Sequence, residues 1–398
     1  MKNKKFFLLI PLFFSLLIMQ ISFNHEFWIQ FWSFLNVPSQ LPPFADLDAI
    51  SRALKSKLDG YNPYYNNPHD LAQKEYIYPS IWLHVFKLLR LNIETNFQLF
   101  CFVTIYIYFF TLLKIFSVIR DKKYQILLMF CLLSTSNFLV IERLNIEVII
   151  FILIYFLASS KNNLIKITLF FLSLFAKLYP VFTVFIFLKN KTHLILMIFF
   201  SLIALYAIRN EIFFLMNNGI EYALLASHGI PSLSKGIWYY STRFDFFIND
   251  NNYSIFKYLL MFLGSIYAAI LFFINFKFKN KRIKKNINII DSLFICGSGI
   301  FIGRFLTFGN FDYALIFIIF TIPYFSKVNN KNLKFLYFFI LFICFNSLLF
   351  EGGNRYSLFY FAKASIIHTL KIIIFTINCY YFGKVINDYL KINFSFKL

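Results

Sequence analysis

Runs of apolar residues about as long as a bilayer is thick recur along most of this 398-residue sequence. A helix that crosses the hydrocarbon core needs about 20 largely apolar residues, and residues 97–116 and 255–276 are runs of this kind. Only 14% of the residues are charged and 59% are hydrophobic, whereas a soluble globular domain has about 25% charged residues. The sequence therefore excludes a soluble domain and a disordered chain, and it predicts a multi-pass helical membrane protein.

We predict an all-α membrane protein with about twelve transmembrane helices in a single integral domain, residues 1–398. The candidate spans are 6–23, 97–116, 124–141, 145–159, 163–175, 178–188, 193–208, 255–276, 288–306, 313–325, 333–350 and 364–382. Segments 163–175 and 178–188 are short and are separated only by Ala176-Lys177, so full spans and re-entrant segments both remain open. The run 6–23 follows three lysines but precedes no small-residue cleavage site, which favours an uncleaved anchor over a signal peptide.

The positions of the basic residues predict which side of the membrane each loop faces, because cytoplasmic loops carry an excess of Lys and Arg. With both termini in the cytoplasm, the inner segments hold 22 of the 39 basic residues and only two acids. These inner segments are 1–5, 117–123, 160–166, 189–192, 277–287, 326–334 and 383–398. The net charge of +21 is then largely a topology signal, so we expect membrane lipids and no nucleic acid as partners. We predict a bacterial plasma membrane protein.

Two long polar segments, 24–96 and 209–254, lie on the outer side in this topology, whereas the inner loops are short. We therefore expect the active site at the outer face. In the first of these segments Leu47, Ile50, Leu54 and Leu58 repeat at intervals of three and four, which predicts a short surface helix. Asp46 is predicted at its N-cap and Gly60 where it stops. Asp46 is then either a simple helix cap or a carboxylate held at the membrane surface to deprotonate an alcohol.

Cationic side chains near the outer face are candidate ligands for a phosphate group. Seven of the nine arginines lie outside or near outer helix ends, where the planar guanidinium suits phosphate, although interfacial snorkelling is an equal alternative. The candidate phosphate ligands are Lys177, Arg304, Arg143, Arg243 and His228. Lys177 is predicted between two short apolar segments at membrane depth, and His228 is interpreted as an exposed loop residue rather than a catalytic one. Arg143 and Glu147 are four residues apart and could pair with each other, a self-neutralising alternative to a functional role.

Several short motifs occur in a fixed order. Asp46-Leu47 comes fourteen residues before Gly60-Tyr61-Asn62-Pro63-Tyr64, and Tyr78-Pro79 follows. The later motifs are Glu142-Arg143-Leu144-Asn145-Ile146-Glu147, Lys177-Leu178-Tyr179-Pro180 and Asn310-Phe311-Asp312-Tyr313-Ala314. Over roughly residues 40–325 the chain resembles membrane glycosyltransferases of the GT-C superfamily, in particular glycosyltransferase family 87, the polyprenyl-phosphate-mannose-dependent mannosyltransferases and their bacterial relatives. Ala314 stands where many relatives have Arg.

The resemblance implies a GT-C-type fold whose first outer loop carries juxtamembrane helices. It implies an inverting hexosyltransferase that moves a hexose such as mannose from a polyprenyl-phosphate sugar donor to a lipid, glycan or glycolipid acceptor at the outer face. Asp46 would be the general base, with Asp48 the second candidate. The substrate-binding residues implied are Tyr61, Asn62, Tyr64, Tyr78, Asn145 and Asp312.

We expect no required cofactor and no metal site. Asp46-Leu47-Asp48 also matches an Asp-x-Asp pair, which in other GT-C enzymes binds a divalent cation, and this alternative is left open. Fixed cationic side chains can stabilise a monophosphate leaving group without a metal. The five cysteines lie in apolar runs without CxxC or Cys/His spacing, so we interpret them as buried apolar residues.

Two other functional classes fit the same topology. A polysaccharide polymerase or ligase would use a glycan linked to polyprenyl pyrophosphate and is expected to rely on Arg and His in a late outer loop. A transporter would show internal repeats and charges near the bilayer midplane, whereas no repeat is visible and most polar residues lie near the outer boundary. A membrane protein with a purely structural role would not explain the concentration of polar residues on the outer side.

Overall fold

The computed structural model describes residues 6–71, 73–119, 121–210, 227–243, 252–274, 288–307, 309–351 and 357–393. Both predicted cytoplasmic tail ends, 1–5 and 394–398, the basic run 277–285 and parts of the second outer segment lie outside these ranges. The described residues are almost entirely helical. They include two short strands, β1 (Ser227–His228) and β2 (Asn310–Phe311), which pair antiparallel.

The helices of the first half of the chain include three in the predicted first outer segment. In chain order they are α1 (Phe6–Ser22), α2 (His25–Phe34), α3 (Ala45–Leu58), α4 (Ile81–Leu88), α5 (Glu94–Val118), α6 (Lys122–Leu132), α7 (Thr135–Arg143), α8 (Glu147–Ser159), α9 (Asn163–Ala176), a 3₁₀ helix (Tyr179–Lys189) and α10 (Lys191–Ala207). The predicted helix is confirmed as α3, and its place at a membrane surface stays a prediction. The apolar piece beginning at Ile81 is also helical but has only eight residues.

The second half contains the longest helix. In chain order its helices are α11 (Ile230–Arg243), α12 (Tyr253–Ile274), α13 (Ile289–Thr307), a 3₁₀ helix (Asp312–Thr321), α14 (Ile322–Phe325), α15 (Lys331–Phe345), a 3₁₀ helix (Ser347–Phe350) and α16 (Leu358–Asn393).

Several helices are long and apolar enough to cross a membrane, as the apolar runs predicted. Four pass by length and composition: Glu94–Val118, Tyr253–Ile274, Ile289–Thr307 and Phe359–Tyr389. A fifth is added if α6 and α7 together form one bent span. Six shorter apolar helices accompany them within the described residues, so the predicted number of twelve spans is not confirmed. The coarse prediction of a helical membrane fold is confirmed.

The chain divides into two compact units. The first consists of Met1–Val118, Phe138–Pro180 and Ser201–Ile220, and the second of Ile119–Asn137, Val181–Phe200 and Glu221–Leu398. Helices α2, α3 and α4, which come from the predicted first outer segment, therefore belong to the first unit together with α8 and α9. Both strands and helices α11 to α16 belong to the second unit.

Helix α3 is anchored in the first unit by a buried apolar face. Leu47, Ile50 and Leu54 are buried as predicted, while Leu58 is exposed. The predicted N-cap at Asp46 is wrong, because the cap is Phe44 in the left-handed region, at φ 61°, and Asp46 lies in the first turn. Phe44 is buried against Trp28, with ring centroids 5.1 Å apart. The helix cap therefore lies two residues before the position predicted from the sequence, while the end at Gly60, with φ 90°, is as predicted.

Glycines on α13 allow close packing inside the second unit. A Cβ added at Gly299 would lie 2.4 Å from the carbonyl oxygen of Phe182, and one added at Gly297 would lie 2.7 Å from that of Phe317. Backbone can approach this closely only where a side chain is lacking, so both positions require glycine. Nearly all of α13 is buried by these contacts.

Candidate functional site

The first unit contains a break between α7 and α8 at which several predicted site residues meet. Leu144 has a left-handed backbone, with φ 42°, so α7 ends at Arg143 and α8 starts at Glu147. Glu142 accepts a hydrogen bond from the backbone N–H of Gln40 at 2.7 Å. Arg143 donates to the carbonyl oxygen of Pro38 at 3.3 Å and lies 2.8 Å from Glu142. The side chains at the end of α7 therefore bind the backbone of the irregular stretch that precedes α3.

Asn145 connects this break to Asp46. Its Nδ2 donates to Asp46 Oδ2 at 2.5 Å, and its Oδ1 accepts from the backbone N–H of Glu147 at 3.1 Å. Asn145 is buried, while Asp46 is partly exposed. The side chain predicted to bind substrate thus orients the candidate base.

Lys177 lies between α9 and the following 3₁₀ helix, as predicted, and contacts Glu147. Its Nζ lies 2.6 Å from Glu147 Oε1, and the hydroxyl of Tyr179 donates to Glu147 Oε2. The indole N–H of Trp82 on α4 donates to the carbonyl oxygen of Ala176 at 2.9 Å. This hydrogen bond connects the residue before Lys177 to helix α4. We call Asp46, Arg143, Asn145, Glu147 and Lys177 the Asp46 cluster.

The possible pair between Arg143 and Glu147 does not form. A spacing of four brings side chains together only on a continuous helix, and the left-handed Leu144 interrupts the helix between them. Arg143 contacts Glu142 instead, and Glu147 contacts Lys177.

Burial raises the pKa of Asp46 above its ordinary value. The positive charges of Arg143 and Lys177 and the hydrogen bond from Asn145 act in the opposite direction, and the charge of Glu147 adds to the rise. Because burial dominates, Asp46 holds a proton more strongly than a solvated aspartate does, and its carboxylate is correspondingly a stronger base.

Asp48 lies on α3 with a different partner. It pairs with Arg52, four residues later, and Arg52 also reaches the carbonyl oxygen of His69 at 3.4 Å. Burial raises the pKa of Asp48 as well, and Arg52 opposes that rise. Within the described ranges no group of three or more His, Cys, Asp and Glu side chains is arranged to hold a metal ion.

The aromatic loop after α3 divides into exposed and supporting residues. Tyr61 and Asn62 are exposed, and the side chain of Asn62 accepts a hydrogen bond from the backbone N–H of Tyr64 at 3.2 Å. The hydroxyl of Tyr64 donates to the carbonyl oxygen of Tyr78 at 3.0 Å. Tyr64 and Tyr78 therefore stabilise the loop, and Tyr61 and Asn62 are among its exposed polar side chains, together with Tyr65 and Asn66.

A second polar cluster lies inside the second unit. Asp312 is fully buried and accepts hydrogen bonds from Lys371 Nζ, at 2.7 Å, and from Ser347. His228 Nδ1 lies 3.4 Å from the other oxygen of Asp312, and Lys371 also donates to the carbonyl oxygen of Ser227 at 2.8 Å. We call Asp312, Lys371, His228 and Ser347 the Asp312 cluster.

The interpretation of His228 as an exposed loop residue is wrong. The side chain is fully buried, because β1 pairs with β2 and places it beside Asp312. Burial lowers the pKa of His228 to about 4, against the opposing effect of Asp312, so the ring is neutral at neutral pH. Because its imidazole is buried and carries no positive charge, His228 is a poor ligand for a phosphate in this structure.

Sequence reasoning missed Lys371 and Ser347, because residues 333–398 carry no recognised motif. Lys371 is nevertheless a lone basic residue within an apolar run, and such residues are costly in a membrane unless they have a partner or a task.

Arg304 is also buried, in the last turn of α13, with its guanidinium 5.9 Å from the ring centroid of Phe317. Arg243 ends α11, and its side chain lies outside the described part of the chain.

The predicted site residues thus fall into two groups, each within one unit. Asp46, Arg143, Asn145 and Lys177 lie together in the first unit, with Asp48, Tyr61, Asn62, Tyr64 and Tyr78 on the same outer segment as Asp46. Asp312, His228 and Arg304 lie in the second unit, where their role in substrate binding stays a prediction.

Comparisons with protein-family models, with characterised proteins and with solved structures find no match to this chain.

Proposed function

We propose that this chain is a membrane glycosyltransferase that moves a hexose from a polyprenyl-phosphate sugar to a lipid or glycan acceptor at the outer face. The observation that carries the proposal is the Asp46 cluster, in which a partly exposed carboxylate of raised pKa is held by Asn145 and lies within the electrostatic reach of Arg143 and Lys177. A base and fixed cations close together are what the transfer of a sugar from a phosphate requires.

The proposed reaction is an inverting displacement. Asp46 accepts the proton of the acceptor hydroxyl as that oxygen forms a bond to the anomeric carbon of the sugar. The bond from this carbon to the phosphate oxygen breaks, and its electron pair leaves with the polyprenyl phosphate. Lys177 and Arg143 stabilise the negative charge that accumulates on the phosphate. The raised pKa of Asp46 supports the role of base.

The proposal assigns the other residues of the first unit by their exposure. Tyr61 and Asn62 are accessible and are proposed to contact sugar hydroxyls and ring faces. Tyr64 and Tyr78 hold the loop on which these two residues lie. Because His228 is buried and neutral, the leaving phosphate is assigned to Lys177 and Arg143 rather than to His228.

The outer-face location is supported by the distribution of charge. The basic inner loops and the long polar segment that contains Asp46 lie on opposite sides of the membrane in the predicted topology. A polyprenyl-phosphate sugar is a donor that such a site can use, because nucleotide sugars are made in the cytoplasm and do not cross a bilayer unaided.

The test is a transfer assay with purified protein in lipid nanodiscs and three radiolabelled donors. These are a polyprenyl-phosphate hexose, a nucleotide hexose and a glycan linked to polyprenyl pyrophosphate. We expect transfer from the first donor only, and the same rate after treatment with EDTA. Transfer from the pyrophosphate-linked glycan alone would assign the chain to the polymerases or ligases, and use of the nucleotide sugar alone would refute the donor class.

Removing the amide of Asn145 is expected to move the pH profile of transfer. The hydrogen bond from Asn145 stabilises the charged form of Asp46, so Asn145→Ala raises the pKa of Asp46 further. The base works only when deprotonated, so activity is lost as pH falls through this pKa, and the acidic limb of kcat/KM moves to higher pH. Asn96→Ala, which removes an amide that contacts Arg90, is the control and leaves the limb in place. An unmoved limb in Asn145→Ala would contradict the assignment of Asp46 as base.

A further inference from the structure

Glu147 is a fully buried carboxylate to which the proposed reaction gives no role. It lies in the first turn of α8, and each of its two oxygens has its own donor, Lys177 Nζ at 2.6 Å and the hydroxyl of Tyr179. A buried carboxylate is tolerated only when it is paired and hydrogen-bonded. Two donors and the positive end of the α8 dipole satisfy that condition here.

We propose that Glu147 is a positioning residue, which fixes Lys177 Nζ within electrostatic reach of Asp46 so that it can bind the leaving phosphate. The proposal rests on the proposed function and names the residue that prepares its anion site. Glu147 does not itself touch the substrate in this proposal.

The exposure of the two partners supports this division of roles. The side chain of Glu147 is 0% exposed, whereas that of Lys177 is 29% exposed. The ammonium group of Lys177 therefore contacts a buried carboxylate, while the Lys177 side chain is also accessible to solvent. A lysine carries its charge on a flexible four-carbon chain, and an ion pair with a fixed carboxylate removes much of that freedom before an anion arrives.

Glu147 and Lys177 both interact electrostatically with Asp46, the candidate base. The positive charge of Lys177 lowers the pKa of Asp46, and the negative charge of Glu147 raises it. Arg143 and Asn145 also face Asp46 and lower its pKa. The charge of Asp46 in turn raises the pKa of Glu142. Removing Glu147 removes a charge that raises the pKa of Asp46, but it also releases Lys177, whose lowering effect is the larger of the two. If Glu147 positions Lys177, the pKa of Asp46 is therefore expected to rise.

The same residue is connected to Asp46 through the backbone. The N–H of Glu147 donates to Asn145 Oδ1, and Asn145 Nδ2 donates to Asp46 Oδ2. The start of α8 thus orients both the base, through Asn145, and the cation, through Glu147. An interval of two residues between Asn145 and Glu147 is what allows one helix terminus to serve both groups.

The experiment compares Glu147→Gln with the conservative Glu147→Asp and with Glu94→Gln, a control at the exposed start of α5. Purified protein in nanodiscs is labelled with a hydrophobic carbodiimide across a pH series, and the modification of Asp46 is read by mass spectrometry. Protonated carboxyl groups react, so the midpoint reports the pKa of Asp46 without any need for activity. We expect a higher midpoint in Glu147→Gln, a smaller change in Glu147→Asp and none in Glu94→Gln, whereas a lower midpoint would show that Lys177 stays in place without Glu147 and would overturn the proposal.

A second measurement follows Lys177. Its acetylation rate is expected to rise in Glu147→Gln, and protection of Lys177 by a short-chain polyprenyl phosphate, clear in the wild type, is expected to weaken. In the transfer assay the donor KM is expected to rise roughly tenfold, the loss of one hydrogen bond to a charged group, with a smaller change in kcat. If Glu147→Gln does not accumulate in the membrane, Glu147→Asp keeps the charge on a shorter side chain that reaches Lys177 less well, and it is expected to raise the Lys177 acetylation rate by a smaller factor.

The outcomes separate the two proposals. An unchanged Asp46 midpoint together with unchanged Lys177 acetylation and protection would overturn the positioning role of Glu147, whatever the activity. A purely structural role predicts less folded protein with a normal donor KM, which would also overturn it. If the labelling shifts and the protection occur as expected but no polyprenyl-phosphate sugar is ever turned over, the transferase assignment fails while Glu147 remains the residue that positions Lys177 for an anion.

Discussion

Asp46→Asn is expected to lower kcat/KM for sugar transfer by about 10²–10⁴-fold, the usual contribution of a general base. The amide has nearly the shape of the carboxylate and still reaches Asn145, but it cannot accept the proton of the acceptor hydroxyl. Donor binding should change little, because Lys177 and Arg143 remain in place. The measurement is steady-state transfer with a polyprenyl-phosphate hexose, normalised to the amount of folded protein in the membrane.

Asp48→Asn is the matched comparison, since it makes the same change two residues along the same helix. Asp48 is paired with Arg52, so its carboxylate is already engaged, and we expect a much smaller loss of activity. If Asp48→Asn is the inactive variant and Asp46→Asn is not, the role of base passes to Asp48. Equal activity in both variants and in the wild type would refute a carboxylate base on α3.

Breaking the Asp312–Lys371 pair is expected to lower the free energy of unfolding by about 3–5 kcal/mol, as is typical when one partner of a buried ion pair is removed. In Asp312→Asn the ammonium of Lys371 stays buried, with its Nζ still against the carbonyl oxygen of Ser227 but without its carboxylate. The double variant Asp312→Asn/Lys371→Met removes both charges and is expected to recover most of the loss. Ser347→Ala, which deletes one neutral donor to Asp312, should cost only about 1 kcal/mol.

The buried cysteines provide the measurement. All five free cysteines are buried, so a thiol-reactive dye reports unfolding of the detergent-solubilised protein as temperature rises. We expect a large fall in Tm for Asp312→Asn and a Tm close to the wild type for the double variant. A double variant as unstable as the single one would show that the ion pair itself, rather than the stranded charge, stabilises the second unit.

Sequence predicted the long spans well because bilayer thickness sets their length. The runs 97–116, 255–276 and 288–306 correspond to α5, α12 and α13 within a few residues. The shorter runs were predicted less well. Residues 178–188 and the start of 313–325 are 3₁₀ helices, and apolar composition alone does not distinguish a short buried helix from a span.

The candidate site was predicted residue by residue, but its pairings were not. Asp46, Asn145 and Lys177 were each identified from local motifs, yet the contact between Asp46 and Asn145 joins residues 99 apart in the chain, and no periodicity encodes it. A pair between Arg143 and Glu147 would need a continuous helix, which the left-handed Leu144 interrupts. Lys371 belongs to no motif, and its isolation in an apolar run is the one sequence signal that marks it.

The break at Leu144 also has a consequence for how the protein is made. The stretch from Pro38 to Asp46 forms hydrogen bonds with Arg143, Glu142 and Asn145, partners that lie 105, 102 and 99 residues later. At a translation rate of about 5–20 residues per second, the emerging outer segment waits roughly 5–20 s for them. During that interval its polar groups have only water as a partner. We therefore expect newly made chains to be most susceptible to proteolysis before α8 has been synthesised.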